Sequence, residues 1–332
     1  MDYTLLTGGN GYIGSHICTE LATTDTNIIL LDNLENSSLN SYNRLKKICS
    51  NIILENIDLI DINSVENIFK KYNIKSVIHL AGLKSIDESL KSPLSYYNVN
   101  ITGTLNLLNV MNKYNCYNLI FSSSATIYGF QKNVPIKETS LVDGNLKNPY
   151  AKTKLYIESI LTDLYNSNNK WNIIILRYFN PVGNHSSGLI WEDPNKRASN
   201  LFPIIMDVFQ GKRDKVIIFG DDYRTRDGTC IRDFIHITDL AKAHIKSLSF
   251  IENKKGYIGI FNIGTGKGYS VLEVISKFNK YTNNKIKFLI GSRRDGDIEF
   301  SFGDPTKANK ILDWYPTKNI DDMIKDTLIR FK

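Results

Sequence analysis

The sequence predicts an α/β protein with a doubly wound parallel sheet, followed by a smaller mixed α/β lobe. Short apolar runs alternate with longer segments of helical periodicity through the first half of the chain, as in repeated strand–helix units. Runs such as "NIILL" and "SVIHLA" lack polar alternation, which is typical of strands covered on both faces. Beyond residue 180 this alternation loosens.

The elements of the first half follow from these periodicities. The predicted strands are 3–7, 27–32, 52–56, 76–80, 118–122 and 172–178. The predicted helices are 12–22, 64–72, 93–114 and 150–166.

The second half starts with a segment rich in Gly, Pro, Asn and Ser, "NPVGNHSSGLIWEDPNKRASN", which predicts an irregular connection. Strands are predicted at 216–219 and 259–262, and helices at 201–210, 239–250, 271–281 and 320–331. We therefore divide the chain into domains 1–180 and 181–332, with 235–262 as a stretch that could return to the first sheet.

Composition excludes several classes of function. The 332 residues carry a net charge of +7, but the lysines are spread along the chain, so we interpret them mainly as a solvated surface that could also attract an anionic substrate. No basic cluster with interleaved aromatics predicts a nucleic-acid partner, and no apolar run predicts a membrane span. The four cysteines and five histidines show no paired spacing, which predicts no disulfide, no metal site and a reduced, cytoplasmic protein.

The stretch "TLLTGGNGYIGSH" joins the first predicted strand to the first helix. Its glycines fit two templates, GxGxxG (Gly9, Gly11, Gly14) and GxxGxxG (Gly8, Gly11, Gly14). Either lets the backbone approach a pyrophosphate at a helix N-terminus. The next strand ends at Asp32, and a carboxylate there accepts hydrogen bonds from ribose hydroxyls and repels a 2′-phosphate. The sequence thus predicts a Rossmann-type NAD-binding domain over 1–180.

A second group combines "FSSSATIYG" with "NPYAKTK". Tyr150 lies one helical turn before Lys154, so both side chains share a helix face. A positive charge about 4 Å away would lower the pKa of a phenol by about three units, which makes Tyr150 a candidate general base. Ser124 follows the fifth strand, where ligands of such sheets bind, and could hold a substrate oxygen.

The segments "GGNGYIG", "HLAGLKS", "FSSSATIYG", "NPYAKTK", "LRYFNPVG", "DGTCIRDFIH" and "RRDGD" resemble extended short-chain dehydrogenase/reductases, specifically the UDP-glucose (UDP-galactose) 4-epimerases. The resemblance covers nearly the whole chain. It implies reversible epimerisation at C4 of UDP-hexoses through a 4-keto sugar, with Ser124 and Tyr150 as the catalytic pair and NAD retained rather than exchanged.

The resemblance also implies binding residues. For NAD they are the loop glycines together with Tyr12, Ile13, Asp32, Asn33, Asp58, Leu59, Leu80, Ala81, Lys84, Asn100, Tyr150 and Lys154. For the UDP-sugar they are Lys84, Ser124, Tyr150, Asn180, Asn200, Leu201, Phe219, Arg232, Arg294, Asp297 and Ser301. Arginine suits a pyrophosphate dianion because it presents forked donors. Asp58 is also interpretable as a solvated loop residue.

Two finer features also rest on the resemblance. Ser301 stands where relatives restricted to glucose and galactose carry Tyr, so the sequence predicts room for a 2-acetamido group and activity on UDP-GlcNAc and UDP-GalNAc. Members commonly form homodimers through the helices corresponding to 93–114 and 150–166. Leu155, Ile157 and Leu161 could supply apolar contacts there or could face the sheet.

Three other kinds of function share part of this pattern. A nucleotide-sugar 4,6-dehydratase needs an Asp-Glu pair after the strand-end hydroxyl, where this chain has Ala125 and Thr126. A pentose 4-epimerase or a decarboxylase stays open because such pockets differ by few side chains. A non-catalytic NAD sensor is disfavoured because such proteins typically lose the Tyr or the Lys.

Overall fold

Two sheets and a strand pair organise the chain. The computed structural model describes residues 1–24, 26–142, 146–192, 200–294 and 296–331. The strands are β1 (Asp2–Thr7), β2 (Asn27–Leu31), β3 (Ile52–Glu55), β4 (Asn73–His79), β5 (Asn118–Ser124), β6 (Asn172–Tyr178), β7 (Asn180–Val182), β8 (Val216–Phe219), β9 (Ile231–His236), β10 (Tyr257–Ile263), β11 (Gly268–Ser270), β12 (Phe288–Gly291) and β13 (Phe300–Ser301).

Helices connect these strands. The α-helices are α1 (Tyr12–Leu21), α2 (Leu39–Lys46), α3 (Ile62–Lys71), α4 (Ile86–Lys91), α5 (Pro93–Tyr96), α6 (Gly103–Lys113), α7 (Pro149–Ser167), α8 (Leu201–Phe209), α9 (Ile237–Glu252), α10 (Val271–Tyr281), α11 (Thr306–Leu312) and α12 (Ile320–Leu328). Short 3₁₀ turns span Ala125–Tyr128 and Ile329–Phe331, and a π-helical segment spans Tyr97–Thr102.

The main sheet has seven parallel strands in the order β10-β6-β5-β4-β1-β2-β3. The connections leave β1 in opposite directions, toward β2 on one side and toward β4 on the other. Ligands of such sheets bind outside the carboxyl ends of the strands at this switch point. The doubly wound fold predicted from the sequence is therefore confirmed.

Helices cover both faces of the main sheet, which is why its strands are apolar throughout. One face packs against α1 and α9, with Ile17 and Leu240 in a shared core. The other packs against α3, α6 and α7, with Val65 and Leu107.

This second core includes part of α7, the helix for which the sequence analysis considered a subunit contact. Ile157 and Leu161 are buried against the sheet, so of the two interpretations the sheet-facing one is correct for them. Leu155 is only half-buried.

The second sheet centres on β9, which pairs with β7, β11 and β13. The strands β8 and β12 form a separate parallel pair. A third core fills this part of the chain, with Phe202, Phe234 and Ile324. Between the two sheets the chain crosses back, since α9 packs on the main sheet and β10 pairs with β6.

Besides containing elements that were not predicted, such as α2, β9 and α11, the structure differs from the predicted elements in three places. The helix predicted at 93–114 is divided by the π-helical segment Tyr97–Thr102, and this wider turn accompanies hydrogen bonds of the Asn100 amide to the Leu83 backbone. The strand predicted at 118–122 continues to Ser124. The predicted irregular connection contains β7, and its residues 193–199 lie outside the described part of the chain.

Among the helices of the described residues, none combines the length and the apolar character needed to span a bilayer.

Candidate active site

The glycine-rich loop between β1 and α1 has the close packing that a dinucleotide cradle requires. Gly8 has a positive φ of 67°, and a Cβ on it would lie 2.8 Å from the Ala81 nitrogen. A Cβ on Gly14 would lie 2.6 Å from the Gly9 Cα, whereas one on Gly11 would meet only the Gly8 oxygen at 3.3 Å. Gly11 caps α1 without a side-chain hydrogen bond, so the first amides of α1 have no side-chain acceptor at the cap. These features fit the pyrophosphate of a dinucleotide.

Asp32 follows β2 beside this loop. Its carboxylate accepts hydrogen bonds from the Asn10 amide at 3.1 Å, the Leu34 amide at 2.9 Å and the Ser37 hydroxyl at 2.9 Å. A carboxylate has about four acceptor positions, so these contacts orient it and leave capacity for a ribose hydroxyl. Next to it, the Asn33 amide donates to Asp58 at 2.9 Å.

Several other predicted cofactor residues lie around the same cleft. The Tyr12 hydroxyl donates to the Gly183 carbonyl at 2.5 Å, and Ala81 donates its amide to the Thr7 hydroxyl at 3.3 Å. Asn100 bonds Leu83 and the Thr153 hydroxyl, so in this structure its amide braces the loop after β4. Ile13 and Leu80 pack partly buried against the core, and Leu59 is buried within it.

Ser124, Tyr150 and Lys154 meet at the carboxyl end of β5. The Thr126 hydroxyl donates to Ser124 Oγ at 2.9 Å, and the Ser124 side chain lies beside the Tyr150 phenol and lowers its pKa. Lys154 is buried, donates to the Ser122 carbonyl at 2.8 Å and lies 4.8 Å from the centre of the Phe121 ring. Tyr150 thus lies in the first turn of α7, and the buried ammonium of Lys154 follows one turn later.

The electrostatics differ from what the sequence predicted. Burial raises the pKa of Tyr150, opposed by the hydrogen bond from Ser124 and by the charge of Lys84. Lys154 is not among the groups that shift the pKa of Tyr150 here, so the lowering expected from its charge stays a prediction. Desolvation outweighs the nearby cations, and Lys84 is the cation whose field reaches the phenol.

Two residues that the sequence analysis did not single out shape this cleft. Glu192 accepts a hydrogen bond from the Lys84 ammonium at 3.0 Å, which raises the pKa of Lys84. The preceding indole, Trp191, lies between the guanidinium groups of Arg44 and Arg330, 3.9 and 3.7 Å from the ring centre. Trp191 also belongs to a pocket beside the glycine loop and α2, which is lined by Asn10, Gly11, Tyr12, Ser15, Asn36, Ser37, Ser38, Ser41, Arg44, Leu189, Ile190 and Trp191. The sequence "WED" contains Trp191 and Glu192, but only the fold shows that Glu192 lies next to Lys84.

The predicted substrate residues of the second lobe fall into one group and several separate positions. Asp297 lies between two arginines, with Arg294 Nη2 at 2.8 Å and Arg232 Nη2 at 3.7 Å. The Arg294 guanidinium lies 5.5 Å from the Phe219 ring centre. Two guanidinium groups beside an exposed aromatic ring can bind a pyrophosphate and stack on a base.

The remaining positions flank this group. Ser301 on β13 is the register partner of Arg232 on β9. The Asn180 amide donates to the Asp233 carbonyl at 2.8 Å, and Asn200 precedes Leu201 at the start of α8.

One class of enzyme combines a Ser–Tyr–Lys group with a dinucleotide-binding loop at the switch point of the sheet. These are the nicotinamide-dependent enzymes that transfer hydride to and from a hydroxyl-bearing carbon. The family model described as GDP-mannose 4,6 dehydratase matches residues 5–327. The UDP-glucose 4-epimerase of Dictyostelium discoideum is 49% identical over 98% of this chain and 94% of its own length. The chain therefore belongs to the UDP-glucose 4-epimerases, within the wider family that this model describes.

Solved structures agree over the full length. The chain is similar to a UDP-glucose 4-epimerase from Stenotrophomonas maltophila with bound NAD and formylated UDP-arabinopyranose, with a TM-score of 0.95, 41% identity, and coverage of 99% of this chain and 97% of that one. It is also similar to the enzyme from Bifidobacterium longum in complex with NAD+ and UDP, with a TM-score of 0.95, 42% identity, and coverage of 99% and 98%.

Proposed function

We propose that this protein interconverts UDP-glucose and UDP-galactose by epimerisation at C4, with NAD as its cofactor. The observation that carries the proposal is the Ser124 hydroxyl at the end of β5 beside the Tyr150 phenol, whose pKa it lowers, followed by Ala125 and Thr126 instead of the acidic pair that a dehydratase requires. Thr126 instead holds the Ser124 hydroxyl.

The glycine loop, Asp32 and Lys154 would hold the cofactor. Bound NAD supplies a reversible hydride acceptor for C4 of the sugar. Tyr150 removes the proton from the 4-hydroxyl at its phenolic oxygen, while Ser124 holds the same sugar oxygen. The 4-keto sugar would then rotate within the pocket, so that C4 could recover the hydride on its opposite face while Tyr150 returns the proton to the 4-oxygen.

Arg232 and Arg294 would bind the pyrophosphate of the UDP-sugar, and Phe219 the uracil face. Asp297 orients both guanidinium groups and can accept from ribose hydroxyls. These residues anchor the nucleotide part of the substrate and not its hexose. The hexose can therefore rotate and present either face to Tyr150.

We further propose a cytoplasmic homodimer that also accepts N-acetylhexosamine nucleotides. The four cysteines are all buried and free, which suits a reducing compartment. Leu94 and Tyr156 leave an apolar face exposed on α5 and α7, and Ser301 has a small side chain next to Arg232.

The decisive experiment follows the formation of UDP-glucose from UDP-galactose through a coupled dehydrogenase. We expect turnover without added NAD, since the cofactor stays bound through the cycle. Tyr150→Phe should reduce kcat by about 10²- to 10⁴-fold, because the general base is lost. Tyr156→Phe on the same helix, exposed at the surface, is the matched control. Intact bound NAD without turnover in the parent protein would instead indicate a sensor.

A further inference from the structure

A buried ion pair lies directly beneath the catalytic group. Glu158 follows Lys154 by one turn of α7, and Arg177 lies on β6. Arg177 Nη2 is 2.5 Å from Glu158 Oε2, and Nε is 3.0 Å from Oε1. Each side chain is only 5% exposed. Such a forked pair is fully desolvated, so its charges act over a short distance without screening by water.

The pair is connected to the catalytic strand end. Ser123, the neighbour of Ser124, donates to Glu158 Oε1 at 2.5 Å. Ser123 and Arg177 are register partners on β5 and β6, so both face α7. On its other side, Arg177 donates to the Tyr128 hydroxyl at 3.0 Å, which donates to Asn262 at 2.7 Å. The network therefore spans β5, β6, β10 and α7.

Stability alone does not account for this arrangement, because an apolar pair of similar volume is often as stable as a buried ion pair. Its position beside Lys154 offers another account. Within the described chain, Glu158 on α7 is the charge that acts on Lys154, His79 on β4 responds to the charge of Lys154, and Arg177 on β6 pairs with Glu158. Glu158 is the acidic member of this set.

We propose that Glu158 is a positioning residue for the epimerase reaction. Its carboxylate keeps Lys154 charged and holds in place the end of β5 that carries Ser124. The guanidinium of Arg177 limits the effect of the negative charge of Glu158. This inference rests on the proposed function.

The charge balance at Lys154 supports it. Burial lowers the pKa of Lys154 to about 8, and Glu158 opposes this shift. Burial, together with the charge of Lys154, lowers the pKa of His79 to about 3. His79 is therefore neutral at neutral pH and adds no second positive charge. Without Glu158, Lys154 would lose its proton nearer to neutral pH.

The test compares pH profiles of kcat in variants with opposite expected shifts. In Glu158→Gln the alkaline limb should move down by about one pH unit, because a negative charge one turn from Lys154 is lost. In Arg177→Met the alkaline limb should move to higher pH, because the charge of Glu158 is no longer neutralised. The double variant leaves no unpaired buried charge and should again shift down. Glu66→Gln removes a surface ion pair with Lys113 and is the control with an unchanged limb.

A second measurement does not depend on activity. The carbon-13 chemical shift of lysine Cε, assigned to Lys154 by its loss in Lys154→Arg, reports the protonation of this residue directly in the cofactor-loaded protein. Its midpoint should shift in the same directions as the kinetic limbs. Midpoints that stay unchanged in Glu158→Gln and in the double variant would overturn the inference, and so would equal shifts of both single variants in one direction. If the parent does not turn over UDP-galactose, the proposed function fails while the lysine titration still decides the inference.

Discussion

Ser301 on β13 is the register partner of Arg232 on β9, and in our proposal its hydroxymethyl group borders the substrate pocket. Replacing it by a phenol would fill the space that we assign to a 2-acetamido group. We expect Ser301→Tyr to lower kcat/KM for UDP-GalNAc by 10-fold or more, about 1.4 kcal/mol or more, and to leave UDP-galactose turnover within about two-fold. Parallel assays on the two substrates measure this. An equal loss on both would contradict the assignment, and Ser301→Ala is the control that keeps both activities.

Single residues show how far sequence reasoning reaches. The spacing of Tyr150 and Lys154 was sufficient to predict a shared helix face, and the strand end was sufficient to predict the position of Ser124. The pKa of Tyr150 was not predictable, because it depends on the burial of the hydroxyl and on Lys84. The hydrogen bonds of Asn100 and Glu192 were not predictable either, since their partners are distant in sequence.

At the scale of elements, the junction of β1 and α1 depends on how closely the loop backbone packs. In Gly14→Ala the new Cβ would lie 2.6 Å from both the Cα and the oxygen of Gly9, so α1 must shift. Overpacking of this kind costs about 1–3 kcal/mol. We expect a lower Tm and loss of bound NAD on gel filtration.

Gly11→Ala separates these two effects. Its Cβ would approach only the Gly8 oxygen, at 3.3 Å, and would face the space assigned to the pyrophosphate. We expect NAD retention to fall while the Tm of the cofactor-free protein changes little. Equal destabilisation by the two substitutions would show that the loop has no cofactor role separate from packing.

Elements with strong periodicity were predictable, and those fixed by tertiary contacts were not. All six strands predicted in the first half are present, with end shifts of a few residues. Short strands such as β7 and β11 were missed, because they exist only through pairing with β9. The π-helical turn at Tyr97–Thr102 was also missed, since its apolar spacing is that of an ordinary helix.

For the whole molecule, buried histidines predict how stability responds to acid. Burial lowers the pKa of His16 and His79 to about 3 and that of His244 to about 4. Below about pH 6.5 the unfolded chain takes up protons at these positions and the folded chain does not. These three groups should therefore lower the free energy of unfolding as the pH falls, by up to about 4 kcal/mol per pH unit. Asp233, whose pKa burial raises to about 6, takes up its proton in the folded state and offsets about one of the three below pH 6.

Urea unfolding at several pH values between about 7 and 5 measures this slope. His244→Gln should reduce the slope by about 1.4 kcal/mol per pH unit, because one histidine no longer titrates. A slope that does not change in this variant would show that His244 is not neutral in the folded protein.

Assembly is testable on the apolar face of α5 and α7. Leu94 is 81% exposed and Tyr156 is 46% exposed, and Tyr156 stacks with Tyr97 at a centroid distance of 6.3 Å. If this face forms the dimer, Leu94→Glu should yield monomers in light scattering at micromolar concentration, since a charge would be buried without a partner. Leu289→Glu on β12, another exposed apolar position, should leave the dimer intact.

The position of β10 has a consequence for how the protein is made. This strand pairs along β6, but the ribosome produces it only after the strands β7, β8 and β9. Until residue 263 has been synthesised, β6 presents an open edge to other nascent chains. A stop codon placed after residue 180 would therefore release an incomplete sheet that is prone to aggregate, and a fragment intended to fold on its own must extend past β10.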